Sequence, residues 1–434
     1  MIRVFLERVK KSKAFFSINK SFVFFGVAAL FLYLTNQFYM LGQINKLLEI
    51  TNSTVMLASV LTVMVIPRLI ILPLAGILTD KYNERTIMLF GFIGLTILMG
   101  SMGIIEQMDL LSLKVLMIYA GVFGGISAVI LPSTFSIIPK IINQNNLPKA
   151  NAAIQLINQL TIFIGPAIAG ILLGFMQLKY YYVIISVMMF LSVILIYFCK
   201  FRLLDHETEN LEQVEKQPQP DKGIKGYKVI FSTPILILLL LFTAVLNLGV
   251  AGPQQIGLPI LIDKELKLGT TELGYLLSVL GLGSIVGSVL IGFFSKRMNL
   301  LFSLSLLGIV FSLLWSFIVR PDHFILISVL LGLAGIAIGS INVIFITLLQ
   351  LHSPQEILGK VMSIQLMGSV GLQPLSFLIS GILIDNYGLQ TAFLLGGCSI
   401  FAVSLILLFM FVKGKKEINK KKKGKMLTNF SEQC

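Results

Sequence analysis

Along most of the chain, apolar runs alternate with short polar breaks, and each run is close to the length of about 20 residues that an α-helix needs to cross a bilayer. Charged residues, glycines and prolines divide the sequence into twelve such runs: 22–44, 55–78, 86–106, 115–138, 151–174, 180–200, 230–262, 271–294, 299–319, 323–350, 361–384 and 391–412. The pattern predicts an all-α membrane protein with twelve transmembrane helices. The seventh and tenth runs are longer than one crossing requires.

The longest non-apolar stretch, from about Phe201 to Lys228, falls between the sixth and seventh runs and carries Asp205, Glu207, Glu209, Glu212, Glu215, Pro218 and Pro220. A polar linker there predicts two pseudo-symmetric six-helix bundles, the mark of a parallel duplication. The expected division is a first bundle at 1–200, a linker at 201–229, a second bundle at 230–412 and a basic tail at 413–434. An internal repeat supports it. Leu147-Pro148-Lys149 is followed 23 residues later by Gly170-Ile171-Leu172, and Leu358-Gly359-Lys360 by Gly381-Ile382-Leu383 at the same spacing, an offset of 211. Gly76 and Asn83 pair likewise with Gly292 and Asn299 at an offset of 216.

Composition strengthens this reading. Of the 434 residues, 56% are apolar and 12% charged, with a mean hydropathy of +0.91; soluble domains carry about 25% charge, so neither a water-soluble globule nor a disordered chain fits. The net charge of +14 would raise nucleic acid as a partner on a soluble protein, but here the charges sit between the apolar runs and at the ends. Arg3, Arg8, Lys10, Lys11, Lys13 and Lys20 precede the first run, and Lys413, Lys415, Lys416, Lys420 to Lys423 and Lys425 follow the last. Such clusters read as cytoplasmic anchors on anionic lipid, or as solvated tails that follow topology. With the N-terminus inside, 27 of the 34 basic residues fall on the cytoplasmic side and six outside, so the positive-inside rule places both termini in the cytoplasm. Basic residues at the start lead into no short apolar core with a small-residue cleavage site, so no removable signal peptide is expected. Cys199, Cys398 and Cys434 have no metal-site or disulfide spacing.

The turn after the second run reads Gly76-Ile77-Leu78-Thr79-Asp80-Lys81-Tyr82-Asn83-Glu84-Arg85. It resembles the loop signature of the major facilitator superfamily, and with twelve spans in two halves the resemblance covers nearly the whole chain. The glycine permits close helix approach, and Asp80 with Lys81 and Arg85 can form a charge network that latches one half against the other. The second-half counterpart, Gly292-Phe293-Phe294-Ser295-Lys296-Arg297, has Lys296 where Asp80 would fall, so the two latches cannot be alike. In the fifth run Gly165-Pro166-Ala167-Ile168-Ala169-Gly170 is similar to the Gly-Pro signature of exporters in this superfamily, where proline kinks the helix and glycines admit a neighbour. Leu147 to Asn151, Ile357 to Val361 and Gly381 to Asp385 look like the macrolide-efflux and siderophore-exporter branch.

Polar side chains within spans tend to face the bundle interior or water. Asn36, Tyr39 and Gln43 recur at helical spacing in the first run, Asn247 and Gln254 in the seventh, Gln155, Asn158 and Gln159 in the fifth, and Gln365, Ser369 and Gln373 in the eleventh. These stripes predict a central cavity for a neutral or weakly charged amphipathic solute; the competing use of each amide is as hydrogen-bonding glue between helices. Arg68, just after Pro67, is an ionised residue near the middle of a span, with two open readings: it binds an anionic group of the substrate, or amides and the carbonyls freed by Pro67 satisfy it.

No deep carboxylate is present, and His206, His323 and His352 fall at loops or span ends, so proton coupling is implied by the resemblance and not by a visible proton site. No nucleotide loop, zinc-hydrolase motif or nucleophile elbow occurs, so no enzyme activity, cofactor or metal is expected. The resemblance implies a plasma-membrane secondary transporter exporting amphipathic drugs or secondary metabolites by proton-coupled antiport. Export of a siderophore or other anionic metabolite, uptake by the same fold, and a non-transporting scaffold are the alternatives.

Overall fold

The computed structural model describes residues 20–51, 53–81, 83–142, 147–199, 232–294, 298–320, 323–353 and 358–431. Twelve of its helical segments are long and apolar enough to cross a membrane, and the described residues contain no strand. The first six are α1 (Lys20–Ile50), α2 (Thr54–Lys81), α3 (Glu84–Gln107), α4 (Leu113–Ser136), α5 (Leu147–Phe175) and α6 (Leu178–Phe198). The seventh begins as α7 (Pro234–Gly252), and α8 (Thr270–Phe294), α9 (Leu300–Phe317) and α10 (Phe324–His352) follow. The eleventh is formed by α11 (Leu358–Val370) and α12 (Gln373–Tyr387), and the last by α13 (Leu389–Ser431).

The residues of the internal repeat stand at equivalent places. α5 begins at Leu147 and α11 at Leu358. Asn83 caps α3 by accepting from the Arg85 N–H at 3.0 Å, and Asn299 caps α9 by accepting from the Phe302 N–H at 3.2 Å. The repeat therefore marks helix starts, where a side-chain acceptor can satisfy amide groups that have no partner inside the helix.

Two runs depart from a single regular helix. After α7 the chain continues through a π-helical turn at Pro253–Gly257, a short α-turn at Leu258–Ile260 and a second π-helical turn at Leu261–Glu265. The eleventh run, expected as one helix over 361–384, is broken: α11 ends at Val370, residues 371–372 form a turn, and Pro374 lies in the first turn of α12, with no N–H for the Val370 carbonyl. Proline supplies no amide hydrogen and restricts the residue before it, so it suits a helix start.

The described contacts form two compact units, Met1–Thr51 with Val63–Pro218, and Asn52–Thr62 with Gln219–Cys434. In the first, α1 packs on α5 and α6, and α3 on α4 and α6. Its core holds Phe25, Tyr39, Phe92, Tyr181 and Tyr182, and the Tyr181 hydroxyl donates to the Phe38 carbonyl at 2.7 Å. In the second, α8 lies along α10, while α7 and α9 both pack on α13. Trp315 sits between Phe311 and Phe393, and its indole N–H donates to the Gly249 carbonyl at 3.1 Å.

Candidate functional site

In the first unit, the α1 stripe is tied together. The Gln43 amide donates to the Tyr39 hydroxyl at 2.6 Å, both residues are fully buried, and Tyr39 stacks on Phe123 of α4 with centroids 4.0 Å apart. Asn36, partly buried, donates to the Leu32 carbonyl on its own helix at 3.0 Å. On α5, Gln155 and Gln159 are exposed and Asn158 is partly buried. Pro166 lies inside α5, with no N–H for the Ile162 carbonyl, and Gly165 and Gly170 are both buried. A Cβ at Gly165 would stand 2.8 Å from the Gln37 side chain, so α5 meets α1 at this glycine. Arg68 is partly buried on α2.

In the second unit, the stripes on α7, α11 and α12 flank the two irregular spans. Asn247 donates to the Thr243 carbonyl at 2.9 Å, Gln254 lies in the first π-helical turn, Gln365 lies on α11 and Gln373 opens α12. Ser376 joins these elements. Its hydroxyl donates to the Leu248 carbonyl at 2.7 Å and accepts from the Gly252 N–H at 2.8 Å. Those two groups are an i, i+4 pair of the α7 ladder, so the serine is wedged into the helix just before its π-helical turn; an inserted side chain is a recognised cause of helix distortion. A Cβ at Gly252 would lie 2.3 Å from the Ser376 carbonyl, so only glycine admits α12 this closely.

Among the described residues, the side-chain amides of Gln155, Asn158, Gln159, Gln254, Gln365 and Gln373 have no hydrogen-bond partner. They are not spent as glue between helices. Irregular backbone at membrane depth occurs where it lines a cavity or is buried in protein.

The Major Facilitator Superfamily matches residues 22–371 and, in a second match, 254–432. This chain belongs to the Major Facilitator Superfamily. This facilitator is 23% identical over 372 residues to the staphyloferrin A transporter of Staphylococcus aureus (strain NCTC 8325 / PS 47), covering 83% of this chain and 88% of that one. It is 26% identical over 195 residues to the multidrug efflux pump Tap of Mycolicibacterium fortuitum, a match that spans 43% of this chain and less than half, 45%, of the pump. The crystal structure of the nucleoside transporter NupG superposes with a TM-score of 0.70 at 13% identity, over 90% of this chain and 99% of that one. A bacterial homologue of the iron transporter ferroportin, solved in an inward-facing state, gives 0.64 at 15% identity, over 89% and 99%. At these identities the structural matches establish the fold.

Of the facilitator's loop signature, Gly76, Asp80 and Lys81 lie outside the residues whose side chains are described; the helix carrying them runs to Lys81. Arg85 reaches past the loop to α6, where its guanidinium donates to the Tyr197 carbonyl and stands 5.7 Å from the centroid of the Tyr197 ring. Beside it the buried Glu84 pairs with Lys140 at 2.6 Å. The basic N-terminal cluster through Lys13 and the linker at 201–229 lie outside the described residues.

Three polar constructions had no signal in the sequence. Ser376 is one. A second is the buried pair of Lys46 on α1 and Glu106 on α3, 3.0 Å apart, with the exposed Glu49 also on Lys46 at 3.2 Å. The third is Asp385 near the end of α12, whose carboxylate accepts from the Thr54 N–H at 3.0 Å, the Val55 N–H at 3.1 Å and the Ser53 hydroxyl at 3.1 Å. It caps α2 from outside that helix, with its charge at the positive end of the helix dipole. In each case the partners are far apart in sequence, so no local spacing marks them.

Proposed function

We propose that this facilitator is a secondary active transporter of the plasma membrane that exports amphipathic drugs or secondary metabolites, macrolide-like in character, by alternating access in exchange for protons. The observation that carries the reading is the set of amide side chains without hydrogen-bond partners, Gln155, Asn158 and Gln159 on α5 and Gln254, Gln365 and Gln373 beside the irregular spans, because amides left out of interhelical bonding are available to a solute. Phenylalanine and methionine, 32 and 17 in number, supply adaptable apolar wall. Export is favoured by the Gly165-Pro166 element and by the likeness to a multidrug efflux pump. Both termini face the cytoplasm in this reading, with basic residues against anionic lipid.

Asp80, Lys81 and Arg85 then form the cytoplasmic latch. Asp80→Asn is expected to impair transport while leaving membrane insertion intact, and normal transport by that variant removes the latch role. Cells producing the protein should accumulate less labelled erythromycin than empty-vector cells, with the difference abolished by a protonophore. An undiminished difference in the presence of the protonophore argues against proton coupling, an equal accumulation with and without the protein would point to a scaffold, and replacement of all six amides by alanine without effect on the difference would remove them from the solute path.

A further inference from the structure

On α1, α2 and α4 of the first unit, three polar groups without partners stand one helical turn beyond a common packing point. Tyr39 of α1 stacks on Phe123 of α4, and next to Phe123 the backbone of Gly124 approaches α2 so closely that a Cβ would lie 1.9 Å from the Met64 carbonyl. α1 and α4 are the first and fourth crossings and run antiparallel, so Thr35, four before Tyr39, and Ser127, four after Phe123, occupy the next facing positions. α2 and α4 run parallel, as the pairing of Gly121 with Val63 and of Gly125 with Ile71 also shows, and Arg68, four after Met64, comes to the same level.

Thr35 and Ser127 are buried, and neither hydroxyl has a hydrogen-bond partner among the described residues. Arg68 likewise has no hydrogen-bond or ion-pair partner among them. On a helix of about 3.6 residues per turn, Arg68 shares a side with Met64, which meets Gly124 of α4, and lies opposite Ile66 and Ile70, which are exposed. Its partial exposure is thus on the side of α2 that faces α4. Among the described side chains, the helix-borne acids of this unit are engaged elsewhere: Glu49 and Glu106 on Lys46, and Glu84 on Lys140. Unpaired buried hydroxyls and an uncompensated arginine within a span are both costly arrangements, retained where they serve a solute.

We propose that Arg68, flanked by Thr35 and Ser127, is the recognition point for an anionic group, a carboxylate or similar oxyanion, on the transported solute. Arginine presents paired N–H donors that match a carboxylate, and the hydroxyls supply neutral donors beside it. This goes beyond the macrolide-like solutes of the exporter reading to acidic ones, and rests on that reading for the act of transport.

The test is counterflow in proteoliposomes with a matched probe pair, dansyl-leucine and its methyl ester, which differ in the carboxylate charge. The wild-type protein should favour the acid, and Arg68→Gln should lower the acid-to-ester rate ratio at least tenfold, with Arg68→Lys in between. An unchanged ratio, with the ester still carried, overturns the anion site and leaves the exporter standing. If neither probe is carried, the exporter reading fails for such solutes and binding decides the site: dansyl-leucine must raise the thermal midpoint of the wild-type protein in detergent and not that of Arg68→Gln, and equal or absent shifts overturn it. The same assay reports whether each variant is folded.

Discussion

Gly339→Leu should leave little folded protein. α8 and α10 pack through facing glycines, and a Cβ at Gly339 would stand 2.0 Å from the Ser284 carbonyl, as would one at Gly287 from the Ile336 carbonyl. These are backbone atoms and cannot swing aside. The approach also carries two reciprocal hydrogen bonds, Ser288 to the Gly339 carbonyl at 3.2 Å and Ser340 to the Gly287 carbonyl at 3.1 Å. Between apolar helices in lipid, association depends on such close packing and hydrogen bonding and not on the hydrophobic effect. Overpacking costs about 1–3 kcal/mol and occasionally more, and a clash with backbone that also parts two hydrogen bonds belongs at or above the upper end. Gly292→Leu, on the facing helix α8, is the control, because nothing lies within 4 Å of a Cβ there. Size-exclusion profiles and thermal unfolding of the detergent-solubilised variants should show a lost monodisperse peak for the first and a wild-type midpoint for the second.

Lys46→Met is expected to destabilise the first unit by about 3–5 kcal/mol, the usual cost of removing one partner of a buried ion pair. The Lys46 and Glu106 side chains are only 8% and 12% exposed, so solvent screens the pair little. Without the lysine, the Glu106 carboxylate faces burial with no cation, and its second oxygen already has no partner among the described residues. Adding Glu106→Gln to Lys46→Met should therefore recover much of the loss, since a neutral amide is cheaper to bury than an unpaired carboxylate. Thermal unfolding of the two single variants and the double variant gives the coupling directly; additive losses would show that the pair contributes no mutual stabilisation.

Much of the architecture was legible because lipid imposes a simple code. Each span must satisfy its own backbone, so runs of apolar residues translate into helices, and all twelve expected runs contain one. Asn83 and Asn299, which recur at one offset and mark the repeat in the sequence, both cap helices in the structure. Side-chain orientation was not legible. Tyr39 and Gln43 carry the polar pattern of a cavity wall yet are buried against each other, because a tyrosine hydroxyl can accept from an amide one turn away. The break before Pro374 was passed over because apolar residues continue on both sides of it. Ser376, Lys46 with Glu106, and Asp385 with the start of α2 depend on contacts between distant segments, where sequence spacing says nothing.

The claim that this facilitator exports amphipathic solutes at the expense of a proton gradient is tested most directly in everted membrane vesicles, whose interior corresponds to the cell exterior and turns acidic on energisation. Labelled erythromycin should accumulate inside vesicles that contain the protein, above the level in empty-vector vesicles, and nigericin with potassium should abolish the difference by collapsing the pH gradient. Accumulation in right-side-out vesicles and not in everted ones would contradict the account, making the protein an uptake carrier.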